Sequence, residues 1–253
     1  MARRNWTREE LIVAFNLYCR TPFGRIHNRN PEIIATAQAI DRTPSALSWK
    51  LANFSRLDPA IKARNLSGAM HGGSLDEEIW AEFNSDWDRL AYESEKLRAK
   101  FLGMKLAEDG ANVGDFPDGR VREASVMVRV NQGFFRSMVL AAYDGRCCLT
   151  GLAVPELLNA SHIVPWRIDV KNRTNPRNGL CLNALHDKAF DRGLISIDAG
   201  YRVLVSPVAK KARSDSLHDL LVRYEGSKIK LPHHFQPDPS LLAYHREEVF
   251  RRK

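Results

Sequence analysis

The sequence predicts an α-rich α+β chain in two parts, an N-terminal helical domain and a C-terminal domain that mixes short strands with helices. Three observations carry this. Residues 5–58 place apolar side chains at helical spacing between successive capping signals. Residues 75–102 repeat the helical period with aromatic residues inside and acids outside. From Val121 onward the pattern changes. A short strand, Leu157–Ile163, and a short helical run, 183–190, are expected after one longer helix. The expected division is 1–75, 76–119 and 120–253.

Trp6-Thr7-Arg8-Glu9-Glu10 sets Thr7 as the cap of a first helix, with Glu10 three residues on to close a capping box. Leu11, Ile12, Phe15 and Tyr18 form its apolar side, and Pro22 ends the run. Asn30 and Pro31 are the cap and first residue of a second helix that carries Ile33, Ile34, Ala37 and Ile40. Asp41-Arg42 is a tight turn. Thr43 and Pro44 then open a third helix with Ala46, Leu47, Leu51 and Phe54 on its apolar side, and Asp58-Pro59 closes the unit. Three helices with a short turn between the last two resemble a helix-turn-helix, and the Trp-Thr-x-Glu-Glu opening resembles a Myb/SANT repeat. That resemblance makes the third helix a DNA-reading helix, with Ser45, Ser48, Trp49, Lys50 and Asn53 facing the groove. The plainer alternative is a helical bundle that docks on other protein.

Residues 66–75 are Gly-rich and read as a loop. Ser74 is the expected cap of a single helix over 75–102, with Glu77 at its third position and Ile79, Trp80, Phe83, Trp87, Leu90 and Leu97 on its apolar side. Residues 108–119 read as a linker. In the second domain, Arg129–Arg136 lead into a helix through Met138, Leu140 and Tyr143, and Asp144-Gly145 makes a turn. No internal repeat is present.

Composition narrows the class. With 253 residues, 44% hydrophobic and 27% charged, the chain has the make-up of a globular protein. No apolar run approaches a membrane span, and the basic start lacks an apolar stretch behind it. The expected location is the cytoplasm, with no membrane partner. Cys19, Cys147, Cys148 and Cys181 make neither a disulfide framework nor a pair of Cys-x-x-Cys hooks, so buried thiols and no structural zinc are expected. The formal net charge is +8. Residues 1–75 carry 11 Lys and Arg against 5 Asp and Glu, residues 76–110 carry 5 against 10, and residues 111–253 carry 22 against 15. Two basic regions flank an acidic one, a distribution that suits a phosphate backbone.

The most distinctive pattern lies at Ala160-Ser161-His162-Ile163-Val164-Pro165-Trp166, Asn178-Gly179-Leu180 and Leu185-His186-Asp187-Lys188-Ala189-Phe190-Asp191. A His, an Asn and a second His follow in order, 16 and then eight positions apart. This resembles the HNH endonuclease motif, the ββα-metal site. With Cys148-Leu149-Thr150-Gly151 before it and Tyr224-Glu225-Gly226 and Leu231-Pro232 after, residues 120–250 resemble a restriction-type branch of that family.

The resemblance implies a metal-dependent endonuclease acting on double-stranded DNA, with a role in restriction or phage defence. Phosphodiester hydrolysis needs an activated water and stabilisation of the charge growing on phosphate. His162 is the implied general base. Asn178 either fixes the His162 ring or binds the metal. His186 is the first-choice ligand for one Mg²⁺ or Mn²⁺ ion, with Asp187 and Asp191 as helpers. The chain departs from the family pattern at two places: Ser161 stands where many members have a ligand, and Phe190 where some have a second His. Lys171, Arg173, Arg177 and Arg192 surround the motif, and Lys210-Lys211 lie in an expected loop, all suited to DNA phosphates. Double-strand cutting with one site per chain calls for two chains, so a homodimer is expected. The alternative reading is a DNA-binding protein that keeps the fold without cutting.

Overall fold

The computed structural model describes residues 4–63, 72–104, 119–212 and 215–252. It divides into two compact units, Met1–Phe134 and Phe135–Lys253. Much of the expected 66–75 loop and nearly all of the expected 108–119 linker lie outside the described residues.

The first unit is helical: α1 (Arg8–Cys19), α2 (Pro31–Ala39), α3 (Pro44–Ser55), a short α4 (Pro59–Ala63), α5 (Ser74–Phe83) and α6 (Trp87–Phe101). The caps read from sequence are in place. Thr7 and Glu10 exchange the two capping-box hydrogen bonds, Asn30 caps α2 with Pro31 at its first position, and Thr43 with Pro44 does the same for α3. Glu10 has a second task. Buried at 2% exposure, it accepts from Arg42 at 2.8 Å and from Arg4 at 2.6 Å. Arg42 also donates to the carbonyls of Arg4 and Asn5 and lies 4.6 Å over the Trp6 ring. One buried carboxylate thus ties the start of α1 to the turn before α3. That turn uses a left-handed residue, Asp41, at φ 53°.

Three expectations need correction here. Asp58 and Pro59 open α4 rather than ending the unit, because the Asp58 carboxylate accepts from Ala60 N at 2.9 Å. The single helix expected over 75–102 is two helices, broken between Phe83 and Trp87, with Asp86 capping the second. Gly73 rather than Ser74 is the cap of α5, since the Asp76 carboxylate turns back to accept from Gly73 N. The aromatic side of this acidic stretch does not span open space. Helix α1 packs against α3, α5 and α6. Trp80 lies 5.3 Å from Phe15, and Phe15 lies 5.0 Å from Phe54.

Helix α7 (Gly119–Ala142) starts well before the expected 129–136 lead-in, since nothing between Gly119 and Ala142 breaks a helix. In the second unit, β1 (Leu158–His162) pairs antiparallel with β2 (Gly179–Asn183), and α8 (Ala184–Asp191) follows directly. Then come a hairpin of β3 (Ile195–Ile197) and β4 (Val203–Val205), short helices α9 (Pro207–Lys211) and α10 (Asp215–Leu220), and α11 (Pro239–Tyr244) running into a π turn, His245–Val249. Lys210 and Lys211 therefore end a helix rather than lie in a loop. Among the described residues no helix is long and apolar enough to cross a membrane.

Candidate active site

The site is built on the hairpin and the helix that leaves it. β1 alternates its side chains, so Ser161 and His162 point to opposite faces. Ser161 is 2% exposed and faces the interior, which removes it from the face that His162 uses. The register places His162 opposite Gly179. That glycine answers to packing. A Cβ there would sit 2.3 Å from Val139 Cγ2 and 3.1 Å from Phe135 Cζ on α7. The bare backbone lets α7 close under the hairpin, and Phe135 stacks on the His162 ring at 3.8 Å.

The His162 ring is held on three sides: Phe135 below, Trp166 edge-on at 5.5 Å, and the Arg173 carbonyl 2.8 Å from Nε2. A carbonyl only accepts, so Nε2 carries the proton and Nδ1 keeps the lone pair. Burial lowers the His162 pKa from its ordinary value, against the Arg173 carbonyl and the Asp187 charge, which act the other way. The ring is thus poised as a neutral base.

Asn178 lies at the end of a 3₁₀ turn, fully buried. Its Oδ1 accepts from Val164 N at 2.8 Å, and its Nδ2 donates to Val164 O at 3.0 Å and Asn172 O at 3.1 Å. It touches neither the His162 ring nor the cleft that the ring lines, which excludes the direct metal-ligand option. It clamps both ends of the 164–172 loop, whose next residue supplies the carbonyl that orients His162. Arg173 is spent in the same loop, with Nε donating to Trp166 O at 2.8 Å and its guanidinium 5.4 Å over the Trp166 ring.

His186 is not where the sequence reading put it. It is 2% exposed, with Nε2 2.8 Å from Leu220 O and Nδ1 2.9 Å from the Asn183 side-chain oxygen. Cys147 is buried near it; burial pushes that thiol up, but His186 and Thr150 prevail and bring it down to about 6. Both ring nitrogens are committed on the inner face of α8, so His186 is a poor ligand. The outer face carries the two carboxylates expected as helpers, Asp187 and Asp191. Asp187 accepts from Asn159 Nδ2 at 2.7 Å, and Asn159 is a site residue that the sequence reading missed. Asp191 sits one turn further on. Burial, then the Asp187 charge, raises its pKa.

A cleft of about 550 Å³ opens over this face. His162, Trp166, Asp191 and His245 line it, with Arg167, Lys188 and Arg192 as its cations. Of the cations expected around the motif only Arg192 lines the cleft. Arg167 and Lys188 carry no sequence signal of their own, since an exposed Arg or Lys has none until its neighbours are known. Lys171 and Arg177 are exposed beside the loop. Lys210 pairs with Glu225, and Lys211 is exposed.

In the first unit, Lys50 and Asn53 face inward. Lys50 Nζ lies 2.8 Å from Asp76 Oδ1, and Asn53 Nδ2 lies 3.4 Å from Asp76 Oδ2. They fasten α3 to α5 and are not available to a DNA groove. Ser45, Ser48 and Trp49 stay on the outer side.

Residues 147–198 match the family model described as HNH endonuclease. The matched segment holds β1, β2, α8 and β3, so the likeness to HNH endonucleases covers the hairpin and helix that build the site. No curated protein matches the chain.

Proposed function

We propose that this chain is a metal-dependent DNA endonuclease with His162 as general base and Asp187 and Asp191 as the metal-holding carboxylates. The observation that carries the reading is the shared outer face of α8 and the end of β1. A half-buried, carbonyl-oriented imidazole there faces Asp191 across one cleft, and Asp187, one turn earlier on the same helix, adds its charge to that carboxylate.

The donor set fits a hard divalent cation. Mg²⁺ and Mn²⁺ take oxygen ligands, and a cation beside Asp187 and Asp191 replaces their repulsion with attraction. Among the described residues no group of three or more His, Cys, Asp or Glu is placed to hold a metal, so substrate phosphate and water complete the shell. When bound, the cation supplies charge stabilisation at the phosphate and leaving oxygen. The chain's own groups do the rest. His162 Nδ1 takes a proton from the attacking water. Arg167, Lys188 and Arg192 set the phosphodiester in the cleft by charge. Asn178 and the Arg173 carbonyl keep the imidazole in one tautomer and one orientation.

The helical first unit then serves as a DNA-binding module, supported by the excess of basic residues in 1–75. A nuclease with a separate binding module suits a restriction-type role in the cytoplasm, with two chains cutting two strands. Plasmid cleavage by the purified protein with EDTA, Mg²⁺ or Mn²⁺, on methylated and unmethylated DNA, tests this beside His162→Ala and Asp191→Asn. Metal-dependent cutting lost in both variants is expected. Binding without cutting under every condition would favour a non-cleaving DNA-binding protein, the reading that the inward-facing Ser161 motivates.

A further inference from the structure

Helix α3 has two faces with the same spacing and opposite fates. Leu47, Lys50, Leu51 and Phe54 are buried in the first unit. Ser45, Ser48, Trp49 and Ala52, at the same i, i+3, i+4, i+7 positions, form the outer side. With Ile26 and Asn28 from the segment before α2 they line a groove of about 240 Å³. Trp49 is 67% exposed, the most exposed of the large apolar side chains described and the only one of the five tryptophans in the exposed class. Asn28 Nδ2 reaches Ser45 Oγ at 3.2 Å, so an amide and two hydroxyls rim the indole. Arg25, His27 and Arg29 are exposed beside it. Neither chain stretch that builds the groove, 21–31 or 43–57, contains an Asp or Glu.

We propose that this groove is a nucleobase-stacking site: an unpaired base of a DNA strand lies on the Trp49 indole, its edge read by Asn28, Ser45 and Ser48, its phosphates held by Arg25 and Arg29. The proposal rests on the reading of the chain as one that acts on DNA, and it changes what the first unit recognises. A helix that reads duplex edges needs long polar side chains on its outer face. This face lacks them, because Lys50 and Asn53 are turned inward onto Asp76. It offers instead a flat aromatic surface with cations and no acids, the combination that binds single-stranded nucleic acid through stacking and charge. A helix from a protein partner would gain little from an acid-free, cation-flanked rim unless it were acidic, whereas a DNA strand satisfies the indole and both arginines together.

The test uses the full chain in EDTA, where cleavage is off. A short oligothymidylate, a duplex with a central mismatch and a fully paired duplex are titrated while tryptophan fluorescence and the anisotropy of a label on the DNA are followed. Wild-type protein is run beside Trp49→Ala and Trp49→Phe. The expected result is quenching by the oligothymidylate that Trp49→Ala lacks. Affinity for that strand should drop roughly 5- to 100-fold in Trp49→Ala, the range of one base–aromatic stack, with Trp49→Phe between. Quenching by the mismatched but not the paired duplex would assign the base to an extruded nucleotide, and quenching by the oligothymidylate alone to a single strand; either supports the site. Equal affinity of wild type and Trp49→Ala for all three DNAs overturns it while leaving the nuclease reading, tested by plasmid cleavage, intact. So does a Trp49-dependent dimer seen by sedimentation without DNA, which would give the face to a second copy. Failure to bind any DNA overturns both readings. Because Trp49 is exposed, unchanged thermal unfolding of the variants is the control for folding.

Discussion

His245 offers a stability prediction that isolates one residue. Its ring is 1% exposed and stacks on Phe190 at 3.7 Å. Nε2 donates to the Phe190 carbonyl at 3.1 Å, and Nδ1 lies 2.8 Å from Ser196 Oγ. Neutral imidazole satisfies both contacts, and charging it means leaving an ion in a nearly dry pocket. Burial therefore lowers its pKa to about 4, helped by Arg246 and opposed by the Phe190 carbonyl. The unfolded chain binds the proton near the ordinary value of about 6.5. With the folded value depressed, the His245 contribution is complete above pH 6.5 and is lost as pH falls through about 4. At about 1.4 kcal/mol per unit, the difference between pH 7 and pH 4.5 comes to roughly 2–3 kcal/mol. Urea unfolding of wild type and His245→Gln at both pH values measures it, since groups shared by the two proteins cancel in the subtraction. The stability gap should shift by about that amount toward the variant at pH 4.5. A gap that is the same at both values, or a His245 resonance that titrates near 6.5, would refute the reasoning. The consequence reaches the site, because Phe190 lies between Asp187 and Asp191 on α8.

Three further outcomes are expected. His186→Ala should lower stability by about 2–4 kcal/mol through the cavity and the unpaired Leu220 carbonyl, yet leave the Mn²⁺ affinity within a few-fold of wild type. Asp191→Asn should do the reverse, and isothermal titration with Mn²⁺ beside urea unfolding separates the two. Gly179→Ala should cost about 1–3 kcal/mol and disturb the Phe135–His162 stack, because Val139 already occupies the place of a Cβ; activity and thermal unfolding should fall together. The acid limb of the cleavage–pH profile should lie below the ordinary histidine value, since a lowered His162 pKa keeps the base neutral at lower pH, and Asp187→Asn should move any residual activity's limb lower still.

Local chemistry was legible in the chain. Thr7 with Glu10, Asn30 with Pro31, and Thr43 with Pro44 each satisfy backbone groups within one turn of themselves, so their meaning survives without neighbours. The strand β1, the helix α8 and the order His162, Asn178, His186 were legible too, and they fall within the segment that matches the HNH endonuclease family model. What failed depended on faces. A helix of eight residues presents His186 to one side and Asp187 and Asp191 toward another, and only the packing of α8 against β1 and the α10 end decides which side meets His162. Likewise Lys50 reads as an exposed cation until Asp76, 26 residues later, claims it in a buried pair. Asn178 reads as a group that fixes the His162 ring or binds the metal until its amide is found bonded to three backbone groups. The sequence by itself determined where helices begin and that a histidine stands at a strand end, because those depend on contacts within a few residues. The tertiary structure alone decided which polar side chains are free to meet substrate, since buried polar groups must first satisfy one another and those partners lie far apart in the chain.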